Sequence, residues 1–359
     1  MEKKVIKLGV VGLKRGGYVA GTVIGDDNVV IRAIADVDPE SLKTCKEDYE
    51  KKGAKDLLCF DNYEDLLKSD IDAVYIATDK PLHTKHTLMA LDAGKHVISE
   101  IPAIETLEEA KILRDAVKAH PELKYMAGEN CFYWAFIESW KKMSEDGKFG
   151  DVLYAESEYL HSTEPDKFVP YKGEHWRKSL SAITYLTHNL GPLLYIMDDE
   201  CVSVSCMAPT AARYNPYKTG DENGIAIFRT KKGAVIRILV GFGMYAGMDH
   251  NFAVYGTKGS ILTDKTKPLS KAHSFAKLQE IPGTFEESIE IPVTYSHTNE
   301  TEGHGGADAI MMRDFIKCII EDTDPPIDVD MGIKISLPGI IASKSAKLGG
   351  QLLEIPEIK

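Results

Sequence analysis

No stretch of the sequence is apolar for long enough to cross a bilayer, which excludes a membrane-spanning helix as its organising element. The N-terminal MEKKVIKLGVVGL follows its lysines with an apolar run. Glycines break that run and no small-residue cleavage site closes it, so it reads as a first strand rather than a targeting segment. Cysteine is sparse. The six, at 45, 59, 131, 201, 206 and 318, include no CxxC spacing and read as reduced thiols of a cytoplasmic protein, with Cys201 and Cys206 near enough to raise a disulfide as the alternative. Positive charge is in deficit: 43 Lys and Arg stand against 55 Asp and Glu, for a net charge of −12. That argues against nucleic-acid and anionic-membrane partners, although a local basic pocket for a small molecule is compatible with it. No G-x-S-x-G is present to seat a Ser–His–Asp nucleophile, and no repeat or low-complexity linker divides the chain.

What is present is an ordinary globular composition, 43% hydrophobic and 27% charged over 359 residues, enough for two domains and a large core. Apolar runs at 5–11, 29–35, 72–77, 96–100 and 123–128 alternate with helical patterns at 40–52, 63–68, 83–93 and 105–119. Thr106 with Glu109 predicts a capping box at the start of the last of these. This alternation predicts an α/β Rossmann domain with a doubly wound parallel sheet over residues 1–125. After a helix at 134–146 come longer strand-like runs at 152–160, 201–207, 224–230, 234–242 and 252–256 with few helices between them, then helical patterns near 181–197, 308–321 and 332–348. Residues 126–359 therefore read as an α+β domain with an open, mainly antiparallel sheet.

GVVGLKRGG (9–17) lies between the first strand and the next helix. A dinucleotide fingerprint wants glycine for the tight turn, for approach to the pyrophosphate and for helix–strand packing. Gly12 and Gly17 fit the first and third positions, and Lys14 stands at the middle one, where its ammonium can reach phosphate. Asp36 ends the second strand, 24 residues after Gly12, where an acid accepts from ribose hydroxyls and repels a 2′-phosphate. No arginine follows in ADVDPE, so NAD is favoured over NADP, with Lys14 as the one group suited to greet a 2′-phosphate.

IATDKPLHTKHTLMALDAGKHVISEIPAI (76–104) resembles the glucose–fructose oxidoreductase/inositol dehydrogenase/MocA (Gfo/Idh/MocA) family, which carries Thr-Pro-Asn-x-x-His, Ala-Leu-x-x-Gly-Lys-His-Val and Glu-Lys-Pro in this order. Thr78, His83, Ala90, Leu91, Gly94, Lys95, His96, Val97, Glu100 and Pro102 match, while Asp79 and Lys80 replace Pro-Asn. VYGTKGSIL (254–262) and the FIKCII helix extend the likeness over essentially the whole chain. The resemblance implies a nicotinamide cofactor, a sugar or polyol substrate, and a second-domain sheet that assembles a homo-oligomer. It places Gly12, Lys14, Arg15, Gly17, Asp36, Thr78, His83, Glu100 and Asn130 at the cofactor. The motif's lysine is replaced by Ile101, which neither donates nor accepts a hydrogen bond through its side chain.

GENCFYW (128–134), the run to EYLH, WRKSL and YLTHNLGPLLYI (185–196) resemble the NAD-dependent glycoside hydrolases within the same superfamily. Glu100, Asn130, Tyr133, Tyr159, His161, Tyr185 and His188 match that pattern; Leu186 stands where those enzymes have proline, and Ser162 where an aspartate is common. The resemblance implies Tyr185 and His188 as the acid–base pair, with Glu100 and Tyr133 toward the substrate. His161 shares a strand face with Tyr159 that meets either the pocket or solvent. Trp176 and Arg177 read either as a sugar-stacking and hydroxyl-binding corner or as a rim Trp with a solvated Arg. Such enzymes oxidise C3 of the sugar, remove the acidified C2 proton, expel the leaving group from C1, add water across the resulting double bond and return the hydride to C3, with no net redox change. Two other outcomes stay open: a plain NAD(P)-dependent sugar or polyol dehydrogenase, and a non-catalytic cofactor-binding sensor. HTKH (83–86) offers two histidines at i and i+3 but no further ligands, so no metal is called for. His304, in GHGGAD, reads either as a substrate contact or as part of a glycine-rich helix lead-in.

Overall fold

The computed structural model describes residues 4–170, 175–266, 274–292 and 302–358. Two compact units emerge, one of residues 1–130 and 300–333, the other of 131–299 and 334–358.

The first unit begins with β1 (Ile6–Val11), α1 (Arg15–Gly21), β2 (Val29–Ala35), α2 (Pro39–Lys51), β3 (Leu58–Phe60), α3 (Tyr63–Lys68), β4 (Ala73–Ile76), α4 (His83–Asp92), β5 (His96–Ser99), α5 (Leu107–Ala119) and β6 (Tyr125–Ala127). The six strands are all parallel, in the order β3-β2-β1-β4-β5-β6. Every residue of β4 is buried, the mark of a parallel strand covered on both faces. The order reverses between β1 and β4, and a doubly wound sheet binds its ligand outside the carboxyl ends of the strands at that switch. The capping box forms: Thr106 Oγ1 accepts from the Glu109 amide, and Glu109 answers the Thr106 amide.

The second unit contains α6 (Ala135–Glu145), β7 (Val152–His161), α7 (Trp176–Ser179), α8 (Thr187–Met197), β8 (Cys201–Met207), β9 (Asn223–Thr230), β10 (Val235–Gly241), β11 (Met248–Gly256), β12 (Gly259–Thr263), β13 (Ser274–Leu278) and β14 (Ile289–Ile291). After α9 (Glu302–Gly305), α10 (Ala307–Glu321) and α11 (Val329–Lys347), β15 (Leu353–Glu354) returns to this sheet. The nine strands run β14-β13-β12-β11-β7-β10-β9-β8-β15, antiparallel except for the β7–β10 pair. One face is apolar and covered: Ala155, Val254, Ile238, Ala226 and Phe228 are buried, and α8 is tied to it by a hydrogen bond between Asn189 and Ser157. The other face leaves Met207, Ile225, Ile227, Tyr255 and Leu262 exposed in register around an Arg237–Glu156–Glu158 ion-pair network.

The structure draws the division differently from the sequence. α9 and α10 belong to the first unit rather than the second. The reason is chemical: α10 carries Asp308, whose carboxylate pairs with Arg15 of α1. β3 and β12–β15 also join the sheets, and Cys201 and Cys206 are separate buried thiols. Among the described residues no helix is long and apolar enough to cross a membrane.

Candidate active site

In the first unit the turn after β1 depends on glycine. Gly12 has φ +84°, and a Cβ there would lie 2.3 Å from the Ala77 carbonyl oxygen, so the loop passes the end of β4 with room for backbone alone. A Cβ at Gly17 would meet the Cys45 thiol of α2 at 2.9 Å, and the Gly17 carbonyl accepts from the Tyr49 hydroxyl at 2.8 Å, so this is the packing glycine of the motif. Asp36 accepts from the Leu13 amide at 2.7 Å through one oxygen and from the Asp38 amide at 2.9 Å through the other. A backbone-only turn beside an acid anchored at the next strand end fits the pyrophosphate and adenosine ribose of NAD. Lys14 is exposed at the loop.

Glu100 follows β5 on the same edge. Its Oε1 accepts from Arg15 Nε at 3.0 Å and from the Tyr75 hydroxyl at 2.5 Å. Ile101 is buried at 3% exposure, so the lysine position of the motif is an apolar core site here. The Arg15 guanidinium is bound to two carboxylates, Glu100 and Asp308, with Nη1 and Nη2 donating to Asp308 Oδ2 and Oδ1 at 3.2 and 2.9 Å. Asp308 is wholly buried and also accepts from Asn130 Nδ2 at 2.8 Å and pairs with His304 Nδ1 at 2.9 Å. Burial alone would raise the Asp308 carboxyl; the His304 hydrogen bond and the Arg15 guanidinium outweigh it and hold Asp308 well below the usual carboxylate range. Burial and the neighbouring Glu100 push the Tyr75 hydroxyl well above its ordinary value, so it stays a donor.

Thr78 and His83 close this edge. Thr78 Oγ1 meets His86 Nδ1 at 3.0 Å. His83 is buried, with Nδ1 at 3.0 Å from the Pro102 carbonyl and Nε2 at 2.9 Å from the Thr78 carbonyl. Both ring nitrogens meet backbone carbonyls, so His83 braces the segments that follow β4 and β5. Sequence reasoning missed Tyr75 and Asp308. Tyr75 is the one hydroxyl-bearing residue in an otherwise apolar AVYI strand, a usable signal; Asp308 had none beyond an acid in a helix's first turn.

In the second unit the 3-10 turn Ala182–Tyr185 leads into α8, with Leu186 and Leu190 buried and Tyr185 and His188 half-exposed. The Tyr185 and His188 rings lie 6.5 Å apart between centroids, and His188 Nδ1 is 3.2 Å from the Cys131 sulfur. Tyr159 and His250 are paired residues of β7 and β11, and their rings stack at 4.3 Å; Tyr159 also meets His188 edge-on at 5.2 Å. His161, two residues on from Tyr159 and so on the same face, lies 5.9 Å from Phe242. Trp176 stacks parallel to Tyr185 at 6.4 Å, and the Arg177 guanidinium sits 4.3 Å above the Trp176 ring. Tyr133 is buried. Tyr185, His188, His161, Trp176 and Arg177 are thus drawn into one aromatic and histidine cluster; His250, Phe242 and Cys131, residues the sequence reading did not single out, complete it.

A family model described as an oxidoreductase family with an NAD-binding Rossmann fold, Gfo/Idh/MocA, matches residues 6–128, and the model of that family's C-terminal domain matches 137–262. A glycosyl hydrolase family 109 protein of Porphyromonas gingivalis is 27% identical, over 91% of this chain and 78% of its own length. One of the same name from Solibacter usitatus is 26% identical, over 98% and 88%. Among solved structures, levoglucosan dehydrogenase in complex with NADH and levoglucosan superposes with a TM-score of 0.84 at 20% identity, covering 99% of this chain and 100% of that one. Apo scyllo-inositol dehydrogenase from Lactobacillus casei gives a TM-score of 0.76 at 20% identity, covering 99% of each chain. With both domain models matched in order across most of its length, this chain belongs to the Gfo/Idh/MocA family of NAD-binding oxidoreductases.

Proposed function

We propose that the chain performs hydride chemistry at a carbon of a sugar or sugar derivative, and that its net reaction is redox-neutral cleavage of a glycoside through a transient 3-keto sugar. The observation that supports it best is the pairing of Tyr185 and His188 within a cluster of aromatic rings and histidines, while Ile101 leaves the lysine position apolar. The relatives named as family 109 glycosyl hydrolases point the same way. NAD, when bound, supplies the hydride acceptor and later the donor. His188 holds the C3 hydroxyl and takes its proton, a task suited to an imidazole ring nitrogen acting as a general base. Tyr185 removes the C2 proton once C3 is a ketone, the leaving group departs from C1 with its bonding pair, and water adds across C1–C2 before the hydride returns to C3. Trp176 offers a flat apolar face to the sugar ring, Arg177 and His161 hold its hydroxyls, and Tyr133 completes the second unit's contacts. The exposed apolar face of the second unit's sheet assembles two or more copies.

The test is a panel of aryl glycosides and free sugars in D2O, with NAD content measured by mass spectrometry. Aryl release without NADH absorbance, and with deuterium at C2, is the expected result. His188→Ala should lower turnover by roughly 10²–10⁴-fold. A second reading, a plain sugar dehydrogenase, has the likeness to levoglucosan and scyllo-inositol dehydrogenases on its side. NADH accumulating in step with a free sugar would establish that reading instead.

A further inference from the structure

We propose that Asp308 is a positioning residue for the cofactor site: it clamps the Arg15 guanidinium, and Arg15 in turn aims Glu100. The inference rests on NAD binding by the first unit and on nothing about the sugar.

The argument begins with geometry. A guanidinium is a rigid planar fork, so two parallel bonds to one carboxylate fix its plane. Asp308 makes that two-pronged contact with Nη1 and Nη2. With the plane fixed, the Nε–H has one direction, and it meets Glu100 Oε1 at 3.0 Å. Tyr75 donates to the same oxygen. Glu100 is held through Oε1 by two donors, whereas among the described residues Oε2 meets only the Ile101 amide at a long 3.4 Å. Oε2 is therefore the oxygen presented, in a set direction, at the carboxyl edge of the sheet where ligands bind.

Asp308 is itself braced beyond what docking a helix requires. Asn130 and His304 both converge on it, and its side chain has no solvent exposure. His304 does so from φ +50°, followed by Gly305 at +72° and Gly306 at +93°. A left-handed residue other than glycine is uncommon and strained, and such strain gathers at functional sites. The GHGG turn is wound so that His304 reaches back to Asp308 in the first turn of α10. The family motif places a lysine next to Glu100; here a permanent cation arrives from the phosphate loop, and a carboxylate 293 residues away in sequence fixes it.

The experiment measures NAD dissociation by calorimetry on the full chain, alongside retention of NAD after desalting. Asp308→Asn, Arg15→Gln and the double variant are compared, with circular dichroism to confirm folding. Each single variant should weaken NAD at least tenfold, and the double variant should be within about twofold of the weaker single one, because Asp308 acts through Arg15. Multiplying effects in the double variant, or NAD affinity unchanged in folded Asp308→Asn, would overturn the proposal. Should Asp308→Asn fail to fold, Arg15→Lys decides: it keeps the charge at a partly exposed position but cannot span both carboxylates. It should also weaken NAD, and unaltered affinity refutes the clamp. Absence of any sugar turnover leaves this test intact, since its readout is cofactor binding.

Discussion

Gly12 offers a measurable test of the cofactor loop, with Gly25 as its internal control. Both have positive φ, +84° and +94°. A Cβ at Gly25 meets nothing within 4 Å, so Gly25→Ala reports the backbone cost alone. That cost is about 1–2 kcal/mol for a left-handed L-residue, offset by about 0.4–1 kcal/mol from the less flexible unfolded chain, leaving a net loss near 1 kcal/mol. At Gly12 the same substitution also drives Cβ to 2.3 Å from Ala77 O, 2.4 Å from Ala77 C and 2.7 Å from Thr78 N. These are backbone atoms and cannot rotate away. They are tethered by the Ala77 amide to the Val11 carbonyl at 2.8 Å and by His83 to the Thr78 carbonyl at 2.9 Å. Overpacking of this kind adds about 1–3 kcal/mol, so Gly12→Ala should lose about 2–4 kcal/mol in all. Urea unfolding gives the difference between the two variants, and amide exchange at Ala77 localises it. NAD titration should show Gly12→Ala defective and Gly25→Ala normal. If Gly12→Ala costs no more than Gly25→Ala and binds NAD equally well, the close passage of the loop past β4 is not what the site depends on.

Thr106→Ala removes the cap of α5 and should cost about 1 kcal/mol in urea, with Thr106→Ser restoring most of it. His86 is pushed down from 6.5 to about 4, first by burial and then by Lys85. Its neutral form is favoured in the fold, so its contribution is complete above pH 6.5 and is withdrawn as pH falls from 6.5 toward about 4. Full linkage corresponds to about 3 kcal/mol, which screening at a half-exposed ring reduces to about 1–2 kcal/mol. His86→Asn should flatten the stability–pH curve by that amount over this window. Cys59 is the exposed thiol, and burial pushes Cys45 up to about 11, so a thiol reagent on the native protein should label Cys59 and spare Cys45 until denaturant is added.

The parallel sheet was legible because its strands are buried on both faces and read as unbroken apolar runs between amphipathic helices. β3 escaped because three residues, Leu58–Phe60, carry no period. The phosphate loop and Asp36 were legible because glycine and an acid at that spacing have few other uses in such a unit. The carboxylate clamp was not, since Arg15, Tyr75, Glu100 and Asp308 lie on four elements and meet only after folding. Position alone put Arg15 at the cofactor; that it is held by two carboxylates became visible only in the fold. In the second unit, Tyr185 and His188 stood out by their motif, whereas His250 reached them through strand pairing that no local pattern announces.

The return of α9 and α10 to the first unit has a consequence for how the protein is made. About 170 residues separate the end of β6 from α9, and at roughly 5–20 residues per second that is on the order of 10–30 s of translation. Throughout that interval the six-stranded sheet is on the emerging chain while Arg15 still lacks Asp308. The N-terminal unit therefore cannot mature as it leaves the ribosome; it waits for the second unit to be synthesised. A fragment ending at residue 130 should show faster amide exchange around α1 and β5 than the full chain, and the intact protein should depend on chaperone shelter more than a contiguous domain of its size.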